Sequence, residues 1–289
     1  MALVEPVIRP PAEAGSFLLQ ITTGCSANQC SFCGVYMNKP FSMKGYEEIV
    51  SDIEFEAEFY PGTRRVFLMD GDALVISNDR LLPVLEKLDR VFPKLSRISS
   101  YANGYNITRR TSRELNHLYE HKLKLIYIGL ESGNQQILDA CRKPSSVDEM
   151  VAAVKRAAEA RIKSSIIVLL GLGGKRHSRE HVRDTIKALN RMQPRYLSFL
   201  SLMFIPGTDL YEELKKGAFE ELNAYELLKE TRDIIEGLKL EKTVFRCNHA
   251  SNYLSLEGRF PQDKEKLVNI LTAAISGKLR LKPEFFRGL

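Results

Sequence analysis

Short apolar runs alternate with amphipathic stretches along the first 220 residues of the chain. The apolar runs have the length of strands and cover residues 16–22, 65–69, 96–101, 123–130, 164–170 and 196–204. A stretch of helical character follows each run. Strands that alternate with helices in this way predict a parallel sheet with helices outside it, so the expected fold class is α/β.

Capping boxes mark the start of two predicted helices. Thr111 with Glu114, and Ser146 with Glu149, have the spacing at which a hydroxyl and a carboxylate bond each other's backbone amides. Further helices are predicted at residues 46–60, 81–92, 181–192, 224–239 and 263–275. The segment at 244–260 is polar and aromatic without a helical period, and its role stays open.

Glycine, acidic or small polar residues follow the predicted strands. Asp70-Gly71-Asp72-Ala73 follows the second strand, and Glu131-Ser132-Gly133 follows the fourth. The carboxyl ends of parallel strands lie at one edge of a sheet, where α/β folds build their sites. We therefore expect a functional site at this edge.

Three cysteines lie close together just after the first predicted strand, in the segment GCSANQCSFCGVY. Four residues separate Cys25 from Cys30, and two separate Cys30 from Cys33. Soft thiolate ligands select zinc, Cu(I) or an iron–sulfur cluster. Ordinary zinc and iron–sulfur sites have four protein ligands, whereas Cys141 and Cys247 lie far along the chain. The spacing favours a metal centre with one open position.

Two other interpretations of the cysteines stay open. A disulfide would leave an odd thiol, and nothing else in the composition suggests an oxidising compartment. A structural zinc site would need a fourth ligand, for which His249 and Cys247 are the candidates.

Composition narrows the class of protein. No apolar run approaches the roughly 20 residues of a membrane span, and the first residues lack the pattern of a secretory signal. Prolines in residues 1–15 predict an extended N-terminal arm. The cysteine content favours a cytoplasmic protein. The formal charge of +6 permits an anionic substrate or RNA without requiring either.

The cysteine segment resembles the cluster motif of the radical S-adenosylmethionine (SAM) superfamily. In that family three cysteines hold a 4Fe-4S cluster, and the amino and carboxylate groups of SAM bind the fourth iron. The residue before the last cysteine is usually aromatic, as Phe32 is here. The first spacing is four residues instead of the usual three, a variant of the kind that occurs in the superfamily.

Three further segments resemble family motifs in the same order. Residues 70–73 lie where the family has a Gly-Gly-Glu motif. Residues 128–133, IGLESG, match the branch of oxygen-independent coproporphyrinogen oxidase, methylthiotransferases and the elongator acetyltransferase. Residues 205–208, IPGT, match the motif after the sixth strand. The resemblance implies a (β/α)6 partial TIM barrel over residues 16–215, with residues 216–289 as an extension that caps it.

The resemblance also implies contacts to SAM. The candidate residues are Phe32, Tyr36, Gly71, Asp72, Asn103, Glu131, Lys143 and Ser165. Tyr36 would lie near the adenine, and Lys143 would pair with the SAM carboxylate. Each has an ordinary structural alternative: a turn for Gly71-Asp72, a helix N-terminal charge for Glu131, a surface charge for Lys143, and capping for Asn103 and Ser165.

The implied activity is reductive cleavage of SAM to a 5′-deoxyadenosyl radical, which abstracts hydrogen from a substrate that the sequence does not identify. An external one-electron reductant such as flavodoxin or ferredoxin is expected. His249, Asn252 and Tyr253 are candidates for contact with the substrate. Two alternatives remain: an iron–sulfur protein for electron transfer or sensing without SAM chemistry, and a zinc-stabilised RNA-binding protein. Tyr101 and Ile167 replace acidic residues of the coproporphyrinogen oxidase branch, so porphyrin activity is not carried over.

Overall fold

A computed structural model of the chain describes residues 3–288. Residues 1 and 2 of the predicted arm and residue 289 of the predicted extension lie outside the described residues. The strands are β1 (Phe17–Leu19), β2 (Thr22–Thr23), β3 (Ser42–Met43), β4 (Arg65–Leu68), β5 (Arg97–Tyr101), β6 (Leu123–Glu131), β7 (Lys163–Leu170), β8 (Tyr196–Ser201), β9 (Val244–Cys247) and β10 (Leu256–Arg259). The α-helices are α1 (Tyr46–Phe59), α2 (Asn78–Val91), α3 (Gly104–Thr108), α4 (Ser112–Glu120), α5 (Gln135–Ala140), α6 (Val147–Glu159), α7 (Gly174–Met192), α8 (Asp209–Lys215), α9 (Ala224–Gly237) and α10 (Lys264–Ile275).

The predicted α/β class is confirmed, because eight of the strands form one mostly parallel sheet. The six predicted strands appear as β1 and β4–β8. The two strands beyond those six, β9 and β10, lie in the segment at 244–260 that had no clear pattern. Each is four residues long, and such short runs give too few alternations to be recognised as strands.

Helix boundaries differ from the predictions at glycine-rich and polar starts. Helix α7 begins at Gly174, seven residues before the predicted start, in a stretch that carries no apolar stripe. Its backbone leaves helical geometry at His177, so two helical pieces are joined there. The capping box of Thr111 and Glu114 is formed as predicted at the start of α4.

The first of two compact units comprises the residues up to 29, residues 35–128 and residues 152–164. Within it β1, β4, β5 and β6 pair in parallel, with Leu19 opposite Leu68. Strands β2 and β3 form a separate antiparallel ribbon. Phe67 lies in the core, with its ring 5.3 Å from that of Tyr101 and 5.9 Å from that of Tyr127. Parallel pairing brings the segments after β1 and β4 to one edge.

Hydrogen bonds hold the described part of the predicted N-terminal arm against this unit. Pro11–Glu13 forms a 3-10 turn, and the Glu13 side chain is fully buried. Its carboxylate accepts hydrogen bonds from Arg97 at 2.9 Å, from the Tyr127 hydroxyl at 2.6 Å and from the Ser16 hydroxyl at 2.6 Å. A buried carboxylate needs such partners, so the arm is an integral part of the unit.

The second unit comprises residues 30–34, 129–151 and the chain from 165 onward. Strands β7, β8 and β9 pair in parallel, and β10 pairs antiparallel with β9. Phe199 and Phe245 pack edge to face at 5.0 Å, and Phe260 packs on Phe245 at 6.0 Å. No helix in the described part of the chain is both long and apolar enough to cross a membrane.

Candidate functional site

Two hydrogen bonds tie the turn that carries Cys25 to the segment after β4. The backbone N–H of Gly24 donates to Oδ2 of Asp70 at 2.8 Å, and the Gly24 carbonyl accepts from the N–H of Gly71 at 3.1 Å. Gly24 has φ 71°, and a Cβ atom there would lie 2.9 Å from the carbonyl oxygen of Pro40. Only glycine suits this position, so the chain enters the cysteine segment along a defined path.

Gly71 lies directly against Cys25 and Tyr36. A Cβ atom on Gly71 would lie 2.7 Å from Cβ of Cys25, 2.9 Å from its Sγ and 2.9 Å from Cε2 of Tyr36. The structure therefore brings together one predicted metal ligand and two predicted SAM contacts. The missing side chain allows the segment after β4 to pack this closely against Cys25.

Asp72 is buried, and its carboxylate accepts three side-chain hydrogen bonds. The donors are the hydroxyl of Ser26, the hydroxyl of Tyr105 at 2.7 Å, and the amide of Asn106. Burial is the main cause that raises the pKa of Tyr105 to about 12, and the hydrogen bond to Asp72 contributes to this rise. Asp72 thus joins the residue after Cys25 to helix α3. The sequence analysis did not single out Ser26, Tyr105 or Asn106.

Asp70, two residues earlier, forms a buried ion pair with Lys39 at 2.7 Å. Asp70 has a left-handed backbone conformation, with φ 64°. Burial raises the pKa of its carboxyl group, and the Lys39 ammonium opposes that rise. Lys39 also donates to the carbonyl oxygen of Pro6 at 3.0 Å, so the N-terminal arm reaches the same cluster of contacts.

Asn103 follows β5, at the same edge of the first unit. The side chain is buried, and its Nδ2 has no hydrogen-bond partner within residues 3–288. An orphaned buried donor is costly and uncommon, so a ligand hydroxyl is a fitting partner. This observation agrees with the predicted contact to a ribose.

In the second unit, backbone bonds shape a tight turn at Cys30 and Cys33. The N–H of Cys33 donates to the Cys30 carbonyl at 3.0 Å. Between them, Ser31 donates to the Cys141 carbonyl at 3.0 Å and accepts from the N–H of Leu210 at 2.9 Å. Phe32 packs against the apolar cluster of Ile137, Cys141, Leu172, Leu202 and Leu210. The predicted SAM contact at Phe32 therefore also anchors the turn.

Two charged side chains lie near Cys30: Glu131 at the end of β6, and its partner Lys143. Oε1 of Glu131 is 3.0 Å from Nζ of Lys143. Burial raises the pKa of the Cys30 thiol, and Lys143 is the strongest influence that opposes the rise, while Glu131 adds to it. Gly129 leaves room for the Glu131 carboxylate, because a Cβ atom there would overlap Oε1 of Glu131. The structure thus brings together Cys30, Glu131 and Lys143.

Helix α7 holds the residues that follow Glu131. The N–H of Gly133 donates to Oγ1 of Thr185 at 2.9 Å, and Nδ2 of Asn134 donates to Oδ2 of Asp184 at 2.7 Å. A Cβ atom on Gly133 would overlap the Asp184 carbonyl, so only glycine allows the helix to approach this closely. The sequence analysis gave α7 no role at the site.

The model of the radical SAM superfamily matches residues 19–189, which is more than half of the chain. The chain belongs to the radical SAM superfamily. This confirms the suspected family, and it confirms the enzyme class and the predicted cofactors, a 4Fe-4S cluster and SAM, at the level of the superfamily.

The similar proteins that were found share little sequence identity with this chain. The heme chaperone HemW of Bacillus subtilis is 21% identical over 158 residues, which cover 54% of this chain and 41% of HemW. Among solved structures, methylornithine synthase (PylB) has a TM-score of 0.57 at 16% identity and covers 89% of this chain and 68% of its own. Coproporphyrinogen III oxidase (HemN) of Escherichia coli has a TM-score of 0.56 at 16% identity, covering 76% and 50%. At 16% identity the two solved structures show a shared fold. The chain spans about two fifths of the length of HemW.

The residues present fit the cofactors of a radical SAM protein. The donor set is three thiols, and a side-chain-free glycine lies beside one of them. Within residues 3–288, no group of three or more histidine, cysteine, aspartate or glutamate side chains is placed so that it could hold a metal ion. Cys25 belongs to the first unit, while Cys30 and Cys33 belong to the second.

The predicted SAM contact at Ser165 does not lie at the carboxyl end of its strand. Ser165 lies near the start of β7, five residues before the end of that strand at Leu170. At about 3.3 Å per residue it is roughly 16 Å from the strand's carboxyl end, so its placement gives the predicted ribose contact no support. That contact stays a prediction.

The substrate candidates have internal partners in the second unit. Asn252 is buried, accepts from the Ser201 hydroxyl at 2.9 Å and donates to the Phe199 carbonyl at 2.8 Å. Nδ1 of His249 lies 2.9 Å from Oγ of Ser251.

Tyr253 is also bound internally. Its ring lies under the Arg287 guanidinium at 4.1 Å, and its hydroxyl donates to Glu284. Burial and, after it, the hydrogen bond to Glu284 together raise the pKa of Tyr253 to about 12. Contact of these residues with a substrate stays a prediction.

Proposed function

We propose that this protein is a radical SAM enzyme whose thiols of Cys25, Cys30 and Cys33 hold a 4Fe-4S cluster. Together with SAM, the cluster supplies a 5′-deoxyadenosyl radical that abstracts hydrogen from a substrate. The observation that carries the proposal is the close contact of Gly71 with Cys25, because it packs the predicted SAM-binding motif directly against a predicted ligand sulfur.

The ion pair of Glu131 and Lys143 is suited to the amino acid part of SAM. That part is a zwitterion, with one ammonium and one carboxylate group. Glu131 can exchange its partner for the ammonium or a ribose hydroxyl, and Lys143 can exchange its partner for the carboxylate. Charge-assisted hydrogen bonds of this kind contribute roughly 1.5–3 kcal/mol each. Arg142 is less suited, because its side chain is exposed and pairs with the exposed Asp209 and not with Glu131.

Asp72 is assigned a different role from that of a simple ammonium ligand. Three donors already bond its carboxylate, and one of them is the residue next to Cys25. We therefore assign Asp72 to holding the Cys25 turn in place, with a contact to the SAM ammonium as an added role. The Nδ2 donor of Asn103 is assigned to a ribose hydroxyl.

The partners follow from the chemistry of the superfamily. Cleavage of SAM needs one electron, so an external reductant such as flavodoxin or ferredoxin is part of the proposal. The substrate is unassigned, and a net charge of +6 favours an anionic molecule only weakly.

Iron content tests the three ligands. Anaerobically purified protein should be brown and contain about four irons per chain. Replacement of Cys25, Cys30 or Cys33 by alanine should abolish the cluster. Cys141→Ala and Cys247→Ala are the matched controls and should keep it, because both thiols are buried and neither belongs to the three predicted ligands. A full cluster in any of the three ligand variants would contradict the assignment.

Product analysis tests the reaction. Reconstituted protein with dithionite and SAM should release 5′-deoxyadenosine, and Cys33→Ala should not. An intact cluster that neither binds nor cleaves SAM would favour the electron-transfer or sensing function. Stoichiometric zinc in place of iron would favour the zinc-stabilised RNA-binding protein.

A further inference from the structure

Two buried polar side chains lie behind the segment that follows β6, and the proposed function uses neither of them. His181 on α7 and Glu230 on α9 are both buried in the second unit. Charged residues are rarely buried to this degree unless they have partners. Their partners therefore indicate what they do.

The Glu230 carboxylate accepts two strong hydrogen bonds. Its Oε1 accepts from the backbone N–H of Gly171 at 2.6 Å, and its Oε2 accepts from the Ser178 hydroxyl at 2.6 Å. Gly171 is the first residue after β7 and has φ 82°. Helix α9 thus reaches the segment that leaves the carboxyl end of β7.

The contacts continue from Glu230 through His181 toward Glu131. Nε2 of His181 lies 3.6 Å from Oε1 of Glu230 and has no hydrogen-bond partner within residues 3–288. Nδ1 lies 2.8 Å from Oγ of Ser132. Burial lowers the pKa of His181, which favours the neutral ring, and Glu230 opposes this shift. In the neutral tautomer with its proton on Nε2, that proton faces Glu230 and Nδ1 accepts from the Ser132 hydroxyl.

The residue beside Ser132 has a strained backbone. Glu131 has φ 60°, a left-handed conformation that residues other than glycine rarely adopt. The N–H of Ser132 bonds the Leu130 carbonyl at 2.7 Å, which closes a very tight turn. Such conformations persist only where the surrounding structure enforces them. Ser132 is held from behind by His181, and its hydroxyl also accepts the N–H of Asn134 at 3.1 Å.

We propose that Glu230 is a positioning residue for the SAM site. Through His181 and Ser132 it holds Glu131 in its left-handed conformation, and through the Gly171 amide it fixes the segment after β7. The inference rests on the proposed function, because Glu131 is the residue that would contact SAM. The sequence alone does not indicate this positioning role. Glu230 lies about 100 residues from Glu131, in a helix with ordinary amphipathic spacing.

Hydrogen exchange tests the positioning directly and needs no SAM. The variant is Glu230→Met, which keeps a similar volume and removes the acceptor. Exchange at the amides of residues 129–134 and 171 should become faster in this variant. Glu236→Met, an exposed substitution on the same helix, is the matched control and should exchange like the parent. Unchanged protection in Glu230→Met would overturn the proposal.

SAM affinity, measured by the spectral change of the reconstituted cluster, tests the consequence for the site. Glu230→Met should weaken SAM binding by about tenfold, with iron content unchanged. Glu230→Gln keeps one acceptor oxygen and should recover part of the loss. The double variant with Glu131→Ala should bind no more weakly than Glu131→Ala alone, because Glu230 acts through Glu131.

The outcomes separate this inference from the proposed function. Parent-like SAM affinity in Glu230→Met, or additive losses in the double variant, would overturn the positioning role while the proposed function stands. A parent protein that does not bind SAM would overturn the proposed function, and hydrogen exchange would still decide whether Glu230 holds the Glu131 segment. If Glu230→Met does not fold, Ser132→Ala replaces it in the hydrogen-exchange and SAM-affinity measurements. This variant removes one hydroxyl from the same chain of contacts.

Discussion

Gly71 lies so close to Cys25 that a Cβ atom on the glycine would be 2.9 Å from the cysteine sulfur. Its φ is not in the left-handed region, so the close approach is what requires glycine here. The segment after β4 therefore limits the positions that the Cys25 thiol can take.

The first prediction is that Gly71→Ala lowers iron loading. The added methyl group would displace Cys25 or the Tyr36 ring, since both lie within 2.9 Å of it. Iron per chain, measured after anaerobic reconstitution, should fall well below that of the parent. Gly45→Ala is the control, because a Cβ atom there meets no other atom within 4 Å. Equal iron content in the two variants would contradict the prediction.

The second prediction concerns the three donors around Asp72. Asp72→Ala leaves the donors of Ser26, Tyr105 and Asn106 without their buried acceptor, so the free energy of unfolding should fall by about 3 kcal/mol. Asp72→Asn keeps one acceptor oxygen and should lose less. Urea unfolding measures both.

A control separates this effect from loss of charge alone. Glu58→Ala removes an exposed carboxylate from α1 and should change stability by less than about 0.5 kcal/mol. An Asp72→Ala variant as stable as Glu58→Ala would show that the three hydrogen bonds contribute little.

Local sequence patterns predicted the scaffold of the site well. The capping box of Thr111 and Glu114 depends on residues three apart, and both of its hydrogen bonds are formed. The motifs at residues 70–73 and 128–133 lie at strand ends as expected, because apolar runs mark where β4 and β6 stop. These features are encoded within a few residues of each other.

Contacts between distant residues could not be predicted in the same way. The bonds of Asp72 to Tyr105 and of Glu230 to Gly171 join residues that are far apart in the chain. Each residue alone looks like a turn acid or a solvated helix charge. Only the paired strands and packed helices show which side chains meet, so the partners of a buried charge become visible with the structure.

The third prediction concerns the buried ion pair of Lys39 and Asp70. Lys39→Met leaves the Asp70 carboxylate buried without its counter-charge and should cost about 3–5 kcal/mol of unfolding free energy. Lys39→Met combined with Asp70→Asn removes the uncompensated charge and should recover part of that loss.

An exposed ion pair provides the control for this substitution. Arg191 and Asp148 lie 2.7 Å apart at the surface, and Arg191→Met should cost less than about 1 kcal/mol. The measurement is the denaturant midpoint of the parent, of Lys39→Met, of the double variant with Asp70→Asn, and of Arg191→Met. A Lys39→Met variant no less stable than Arg191→Met would contradict the view that the pair holds the N-terminal arm and the Cys25 turn together.

The last prediction is a pH dependence that arises from His181. Burial lowers the pKa of this ring in the folded state, and Glu230 opposes the shift without cancelling it. Below its ordinary pKa of about 6.5 the unfolded chain binds a proton that the folded protein does not. Stability must therefore fall as pH drops below about 6.5, by up to about 1.4 kcal/mol per pH unit for this one group, and the slope ends at the folded-state pKa.

His181→Gln removes the titrating ring and should flatten this slope, although it lowers stability at neutral pH through the lost contact with Ser132. The measurement is the free energy of urea unfolding between about pH 5 and 7, made on iron-free protein so that acid loss of a cluster does not enter. His249 contributes a slope of the same sign, because burial lowers its pKa too, so the parent and His181→Gln must be compared directly. If His181→Gln shows the same pH dependence as the parent, then folding does not lower the pKa of His181, and the buried neutral ring that links Ser132 to Glu230 is the wrong description.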